Sequence, residues 1–483
     1  VAVAALAAAG ALGPLALSSA GAAPTTNVTT YDYSSARTGD APTQAAVTSL
    51  AARATWDATL DGAVYGEPLV YDGQVIVATE RDSVYALALA TGAVRWRLHV
   101  GTAVRTSVID EATGLSPGCG DINPLGITGT PVIDPSSGVL YVAEETMLGA
   151  ARWQDVRHDL VAISLATHRV LWRRGIDPPG GDRSGGYTIA AEQQRPALTL
   201  ANGRVYVGFG GLAGDCGEYH GFEVAVGTSG RGAELVYQVP SAREAAIWET
   251  NGAVVSPGGD LFVATGNGAS TTSFDGGNAV IELSPTLHVL AQWAPKDWAT
   301  LSSYDWDLGS SGPIYVPGTN DLFIAGKPAN GSFGFVVSAG DLGTGPADPL
   351  ATGDVCASSD AGDFGADASA VVTVGSSTET FVYAACGGGT AGLRFDTASS
   401  PPSFTRAWTP STGAPNGPPI VAGGLVWSLD WDDGALYAMA PATGVVRFSR
   451  VTAPLNHFAT PTLADGFVLV PTRGGVEAFA AGS

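Results

Sequence analysis

A phrase that returns along the chain constrains the fold more than any other feature. YALALATGAVRW runs from Tyr85 to Trp96, VAISLATHRVLW from Val161 to Trp172, and YAMAPATGVVRF from Tyr437 to Phe448. Each reads as an apolar strand, a Thr-Gly or Thr-His turn, a second short strand and a closing aromatic residue. Upstream of each stands another recurring phrase: GEPLVYDGQVIVAT (Gly66–Thr79), GTPVIDPSSGVLYVAE (Gly129–Glu144) and GPPIVAGGLVWSLD (Gly417–Asp430). A further copy, ATPTLADGFVLVPT, covers Ala459–Thr472. Self-similarity at a period of roughly 40–60 residues, built only of strands and turns, marks a radial array such as a β-propeller.

The repeats divide the chain into eight sheets, at about 63–97, 128–174, 195–238, 248–293, 308–343, 365–408, 416–449 and 459–480. The last has room for only three strands before the chain ends. ATWDATLDG (Ala54–Gly62) carries Trp56 where the closing aromatic stands elsewhere, yet no sheet precedes it. Pairing it with the last sheet closes the ring and removes two exposed edges. The expected fold is therefore all-β: one eight-bladed propeller of four-stranded antiparallel blades over 53–483. The repeated aromatics, Trp96, Trp172 and Trp408, are expected to pack between blades over a neighbour's Gly or Thr turn, as architecture rather than site.

The N-terminal stretch VAVAALAAAGALGPLALSSAGAAP is apolar and alanine-rich, ending in Ala20-Gly21-Ala22 before Pro24. It reads as the core and cleavage site of a secretory signal over 1–23, followed by a polar linker over 24–52. No other segment is apolar enough to span a bilayer. The formal net charge of −22 argues against nucleic acid or an anionic membrane as partner, since both call for clustered Lys and Arg. An exported chain permits disulfides, and proximity in sequence pairs Cys356 with Cys386, leaving Cys119 with Cys216. Neither a CxxC nor a CxxCH motif occurs, so zinc-ribbon, thioredoxin-like and covalent haem readings lack support.

The AxxxxTGxxxW ending resembles the repeat of pyrroloquinoline-quinone (PQQ) propellers, a superfamily of quinoprotein alcohol dehydrogenases and non-catalytic relatives such as outer-membrane assembly lipoproteins. Three unrepeated segments resemble the dehydrogenase site. IWETNGAVVSPGGDLFVATGNGAS (Ile247–Ser270) is similar to the stretch in which a Trp floors the quinone and a TGN turn gives an Asn to the metal. That resemblance maps onto Trp248 and Asn267. SSYDWDLGSSGP (Ser302–Pro313) is similar to the segment carrying the catalytic base, here Asp307. AGKPANGSFGFVV (Ala325–Val337) resembles the segment whose cation contacts the quinone oxygens, here Lys327, one of two lysines in the chain with Lys296. The family's metal-binding Glu falls in GFGGLAGDCGEYHGF (Gly208–Phe222), where Glu218 is the candidate, although the spacing to the following Gly differs.

These residue types suit the chemistry that the resemblance implies. PQQ is a flat tricarboxylated quinone, which calls for an aromatic face and rim cations. Ca²⁺ takes oxygen ligands and polarises the hydride-accepting carbonyl, while a carboxylate takes the proton of the substrate hydroxyl. The chain departs from the pattern in lacking an adjacent Cys pair above the quinone, having only Cys119 in the comparable loop. Gly309 stands where the lanthanide subfamily has a second acid, which favours Ca²⁺. With no haem motif, an external electron acceptor is required. The expectation is a secreted PQQ- and Ca²⁺-dependent dehydrogenase of alcohol or sugar hydroxyls. Its rival is a non-catalytic extracellular propeller that binds a protein or glycan. DWDDG (Asp430–Gly434) resembles a calcium-loop fragment but reads as a solvated turn between strands.

Overall fold

A computed structural model describes residue 1 and residues 26–114, 119–149, 152–182, 186–327, 333–357, 362–363, 365–409 and 416–483. The expected secretory signal lies outside the described residues apart from Val1.

Eight small antiparallel sheets stand in a ring, over 69–99, 132–175, 199–238, 254–295, 314–354, 368–408, 420–451 and 462–482. The last, blade eight, gains its outer strand from Trp56–Thr59, which pairs antiparallel with Gly475–Gly482 in the register Trp56↔Ala478. Ring closure by an N-terminal strand is thus as the repeat pattern anticipates.

Burial follows position within each blade. The middle strand Ser83–Ala88 of blade one is buried throughout, because apolar side chains on both of its faces meet neighbouring blades. The outer strand Val94–His99 buries Trp96 and exposes the residues on either side of it. The core therefore lies between blades: Leu69, Val84 and Trp96 of blade one pack on Ile133, Val142 and Val161 of blade two.

The repeated Trp docks on the turn of the next blade. A Cβ on Gly92, at φ +68°, would lie 2.5 Å from Trp56, and one on Gly230 would lie 2.5 Å from Trp172. Gly444 contacts Trp408 in the same way, and Trp408 Nε1–H donates to Pro441 O at 2.9 Å. Blade two has Thr-His instead of Thr-Gly, and there Trp96 stacks on His168 at 5.0 Å.

Blade five departs from the expected boundary at 343. Its fourth strand is Ala351–Asp354, and the preceding Thr344–Ala347 joins the outer edge of blade four in parallel. Pro346 lies in that edge strand, where a missing N–H is tolerated.

Residues 28–41, in the stretch read as a polar linker, run inside the ring. Val28 exchanges both backbone hydrogen bonds with Val70 of blade one, and Thr29 O accepts from Ile133 N–H of blade two. Ser35, Thr38 and Gly39 carbonyls accept from the inner strands of blades four, six and seven, and Tyr33 Oη accepts from Leu463 N–H of blade eight. Arg37 reaches blade three, donating to Leu198 O and Thr199 Oγ1. This segment fills the axial channel at one end.

Candidate functional site

Every innermost strand starts toward the other end of the channel, so the residues just ahead of those strands ring one opening. Gly66, Thr130, Arg195, Thr250, Asp307, Asn416 and His457 all line it. The cavity has a volume of about 640 Å³, within the range of small-molecule sites.

Three of the singled-out segments interlock to make one wall. Gly309 N–H donates to Thr265 O at 3.1 Å, and Lys327 N–H donates to Asp307 O at 3.2 Å. The glycines permit this approach: a Cβ on Gly266 would lie 2.7 Å from Asp307 Oδ1, and one on Gly309 would lie 2.6 Å from the Thr265 carbonyl carbon. Asp307 is held on both oxygens. Oδ1 accepts from Asn267 N–H at 2.6 Å, and Oδ2 lies 2.6 Å from Lys327 Nζ. The same ammonium lies 3.2 Å from Asp305 Oδ1, which also accepts from Asn267 Nδ2 at 2.7 Å. Burial, the largest influence, draws the Lys327 pKa down, but Asp307 and Asp305 outweigh it and leave the ammonium firmer than a free lysine. Burial pushes the Asp305 carboxyl up, against the opposing pull of Lys327.

Trp248 is half-buried on the same cavity and is flanked by two cations. Arg195 Cζ lies 4.5 Å from its ring centroid and Lys327 Nζ lies 5.4 Å from it. Arg195 is also 3.7 Å from the Phe458 ring, so the guanidinium sits between two aromatic faces. Its one protein hydrogen bond among the described residues is to Thr250 Oγ1, at 3.3 Å. A guanidinium has five N–H donors, so most of them stay open at the cavity. Burial lowers its pKa to about 10, which still leaves it charged at neutral pH.

The opposite wall is aromatic. His457 packs edge-on against Tyr65 and Phe458, with Trp431 farther off, and its Nε2 lies 3.3 Å from Asp121 Oδ2. Burial, helped by Arg195 and Arg473 and opposed by Asp121, lowers the His457 pKa to about 4, so the imidazole is neutral at pH 7. Trp431 and Asp432 of the DWDDG turn stand on the cavity rim rather than away from it.

The structure thus brings Trp248, Asn267, Asp307 and Lys327 together and leaves Glu218 apart. Glu218 is exposed and its carbonyl accepts from Thr188 N–H, while Asp215 and Tyr219 of the same loop line the cavity. Cys216, bonded to Cys119, anchors that loop from the other strand of chain. The second disulfide is Cys356–Cys386. Of the two expected metal ligands only Asn267 reaches the cavity, and its Oδ1 already accepts from Asn278 Nδ2 at 3.1 Å. Lys327 bridges the two nearby carboxylates, and no cluster of three or more His, Cys, Asp or Glu able to hold a metal occurs among the described residues. This donor set does not suit Ca²⁺, which takes six to eight oxygens. Arg195 and His457 escape a reading by motif. One signal was available: Arg195, Thr250 and Asn416 each stand four positions ahead of an inner strand.

A PQQ-repeat family model, described as outer membrane protein assembly factor BamB, matches residues 28–211. No curated protein matches the chain. Among solved structures, it is similar to the quinohemoprotein alcohol dehydrogenase ADHIIG of Pseudomonas putida HK5, with a TM-score of 0.64 at 15% identity over 94% of this chain and 80% of that one. It is also similar to a europium-containing methanol dehydrogenase (TM-score 0.65, 14% identity, 94% and 98% covered). BamB of Moraxella catarrhalis matches with a TM-score of 0.53 at 12% identity, over 88% and 98%. At such identities the likeness is one of fold.

Proposed function

We propose that this chain, a β-propeller of the PQQ-repeat type, is a secreted dehydrogenase that oxidises an alcohol or sugar hydroxyl with a tricarboxylated quinone held in its axial cavity. The observation that carries this reading is the meeting of Trp248, Asn267, Asp307 and Lys327 from three segments around one cavity. Arg195, with open donors at the same cavity, strengthens it. An indole face and two partly buried cations fit a flat polyanion. When bound, the quinone supplies the carbonyl that accepts hydride.

The chain's own residues do the rest. Trp248 offers a planar surface, and Arg195 and Lys327 orient anionic and carbonyl oxygens. Asp307 takes the hydroxyl proton on a carboxylate oxygen while Asn267 N–H and Lys327 hold it in place. The resemblance also implies Ca²⁺, but of its expected ligands only Asn267 lines the cavity, so the ion is left out of this reading. Electrons leave to an external acceptor. Two disulfides fit an oxidising compartment, and no described helix is long and apolar enough to cross a membrane.

The BamB description of the matching family model favours a second reading, a non-catalytic propeller that binds a protein or glycan. Reconstitution of the full chain with PQQ, with and without Ca²⁺, separates the two. The dehydrogenase reading expects quinone absorbance to survive desalting and dye-linked oxidation of members of an alcohol and sugar panel. A chain that keeps no quinone is the scaffold.

A further inference from the structure

We infer a second site, for a hard cation, between blades one and two and outside the axial cavity, built by Asp82, Glu144 and Thr146. Asp82 lies in the turn joining two strands of blade one, and Glu144 and Thr146 lie on Val139–Met147 of blade two. None of the three lines the axial cavity.

Their oxygens converge. A Cβ on Gly101 would lie 2.8 Å from Asp82 Oδ2, 2.7 Å from Glu144 Oε2 and 2.5 Å from Thr146 Oγ1. On the other side of Asp82, a Cβ on Gly126 would lie 2.8 Å from Oδ1. Three oxygens from two blades thus pack around Gly101, with Thr146 Oγ1 also accepting from Thr102 N–H at 2.8 Å.

Both carboxylates are fully buried, yet neither oxygen of Asp82, nor Oε2 of Glu144, has a hydrogen-bond partner among the described residues. Native structures rarely leave such atoms unmatched, since an unpaired buried charge costs several kcal/mol. None of the nearby cations bonds Asp82 or Glu144 Oε2, although Arg173 reaches the other oxygen of Glu144. Arg173 pairs with Glu144 Oε1 and Asp159, Arg157 with Asp159, and His158 with Asp177 and Glu145. Glu80 beside Asp82 adds a further carboxyl, bonded by Gly126 N–H on its Oε2 and by Thr128, and burial pushes it up to about 8. Burial pushes the Asp82 carboxyl well above its usual range, with Glu144, Glu80 and Glu145 adding to the rise and Arg173 opposing it. Oxygen-only donors that lose their protons on binding suit a hard divalent ion of the Ca²⁺ type rather than a soft metal, with water completing its shell. Such an ion would staple the two blades at their shared interface.

The test uses the full chain stripped with a chelator and titrated with Ca²⁺ by calorimetry and with Tb³⁺ by luminescence. The proposal expects saturable binding, a rise in Tm on adding Ca²⁺, and loss of both in Asp82→Asn and Glu144→Gln. The loss should exceed the roughly 10–100-fold seen when outer-shell partners of a metal are removed. Asp307→Asn should leave this binding unchanged, which separates it from any ion at the axial cavity. Near-UV circular dichroism and Tm of the ion-free variants show whether they fold. Absence of Ca²⁺ and Tb³⁺ uptake by the stripped parent, or folded Asp82→Asn that binds like the parent, overturns it.

Discussion

Arg37 is fully buried and Arg195 partly buried near the channel axis, and burial lowers the pKa of each to about 10, yet they differ in what holds them. Arg37 sits at the filled end and donates to Thr30 Oγ1, Tyr31 O, Leu198 O and Thr199 Oγ1, all between 2.7 and 3.0 Å. Arg195 sits at the cavity with one bond to Thr250 and two aromatic faces. A buried guanidinium whose two terminal nitrogens are both bonded by the chain, with only Nε lacking a partner among the described residues, tightens the fold, whereas one with most donors open can take a partner from outside. In the dehydrogenase reading, the same channel therefore holds a stability element at one end and a recognition element at the other.

The sharpest check on that division is Asp307→Asn at the open end. In the dehydrogenase reading, turnover by quinone-loaded protein falls by about 10²–10⁴-fold, the usual worth of a general base. Quinone retention and Tm stay near those of the parent. Lost retention in place of lost turnover would move Asp307 from proton acceptor to binding group.

At the filled end the order reverses. Arg37→Met should cost about 3–5 kcal/mol, because it strands buried carbonyls and leaves Asp32, whose carboxylate oxygens have no hydrogen-bond partner among the described residues, without the neighbouring cation. Denaturant unfolding measures this, and quinone binding by the folded fraction should be unchanged. Arg195→Met should do the opposite, weakening quinone retention by roughly 10–100-fold, equivalent to about 1.5–3 kcal/mol for a charged hydrogen bond, with Tm nearly constant. If Arg195→Met destabilised as much as Arg37→Met, the contrast would disappear.

How much of this could be read from the sequence depends on what fixes each feature. The blades, the closing strand at Trp56 and the Trp-on-turn docking follow from local periodicity, and local periodicity is visible in a string. Asn267, Asp307 and Lys327 are singled out by the resemblance of their segments to the dehydrogenase site, and in the structure those segments interlock backbone to backbone through Gly266 and Gly309. Arg195 and His457 carry no such mark. They meet only because ring closure brings residues from blades three and eight to one opening, and nothing near either in the chain records that. Glu218 shows the converse: it lies in the loop that Cys216 ties to Cys119, yet it is exposed while Asp215 and Tyr219 of that loop line the cavity. The course of residues 28–41 was illegible for a similar reason, since its partners are seven blades scattered along the chain.

Histidine extends the arginine comparison and gives the smallest effect, about 1.4 kcal/mol per pH unit at most. His457 at the open end is neutral in the fold, with its pKa lowered to about 4 by burial. Unfolding lets it take up a proton below its ordinary value near 6.5, so its contribution is complete above that pH and fades as pH falls toward 4. His158, between blades two and three, is the reverse. Burial alone would lower its pKa, but Asp177 and Glu145 outweigh that and raise it to about 10. Its contribution is complete below about 6.5 and fades as pH rises toward 10. In Tm measured from pH 5 to 9, the two contributions appear as differences between parent and variant, the His457 difference fading on the acid side and the His158 difference on the alkaline side. His457→Asn should flatten the acid limb alone, and His158→Gln should flatten the alkaline limb alone. A parent whose alkaline limb survives His158→Gln unchanged would mean that this imidazole carries no proton in the fold, and that the interior network, like the cavity, leaves its charges for something else to balance.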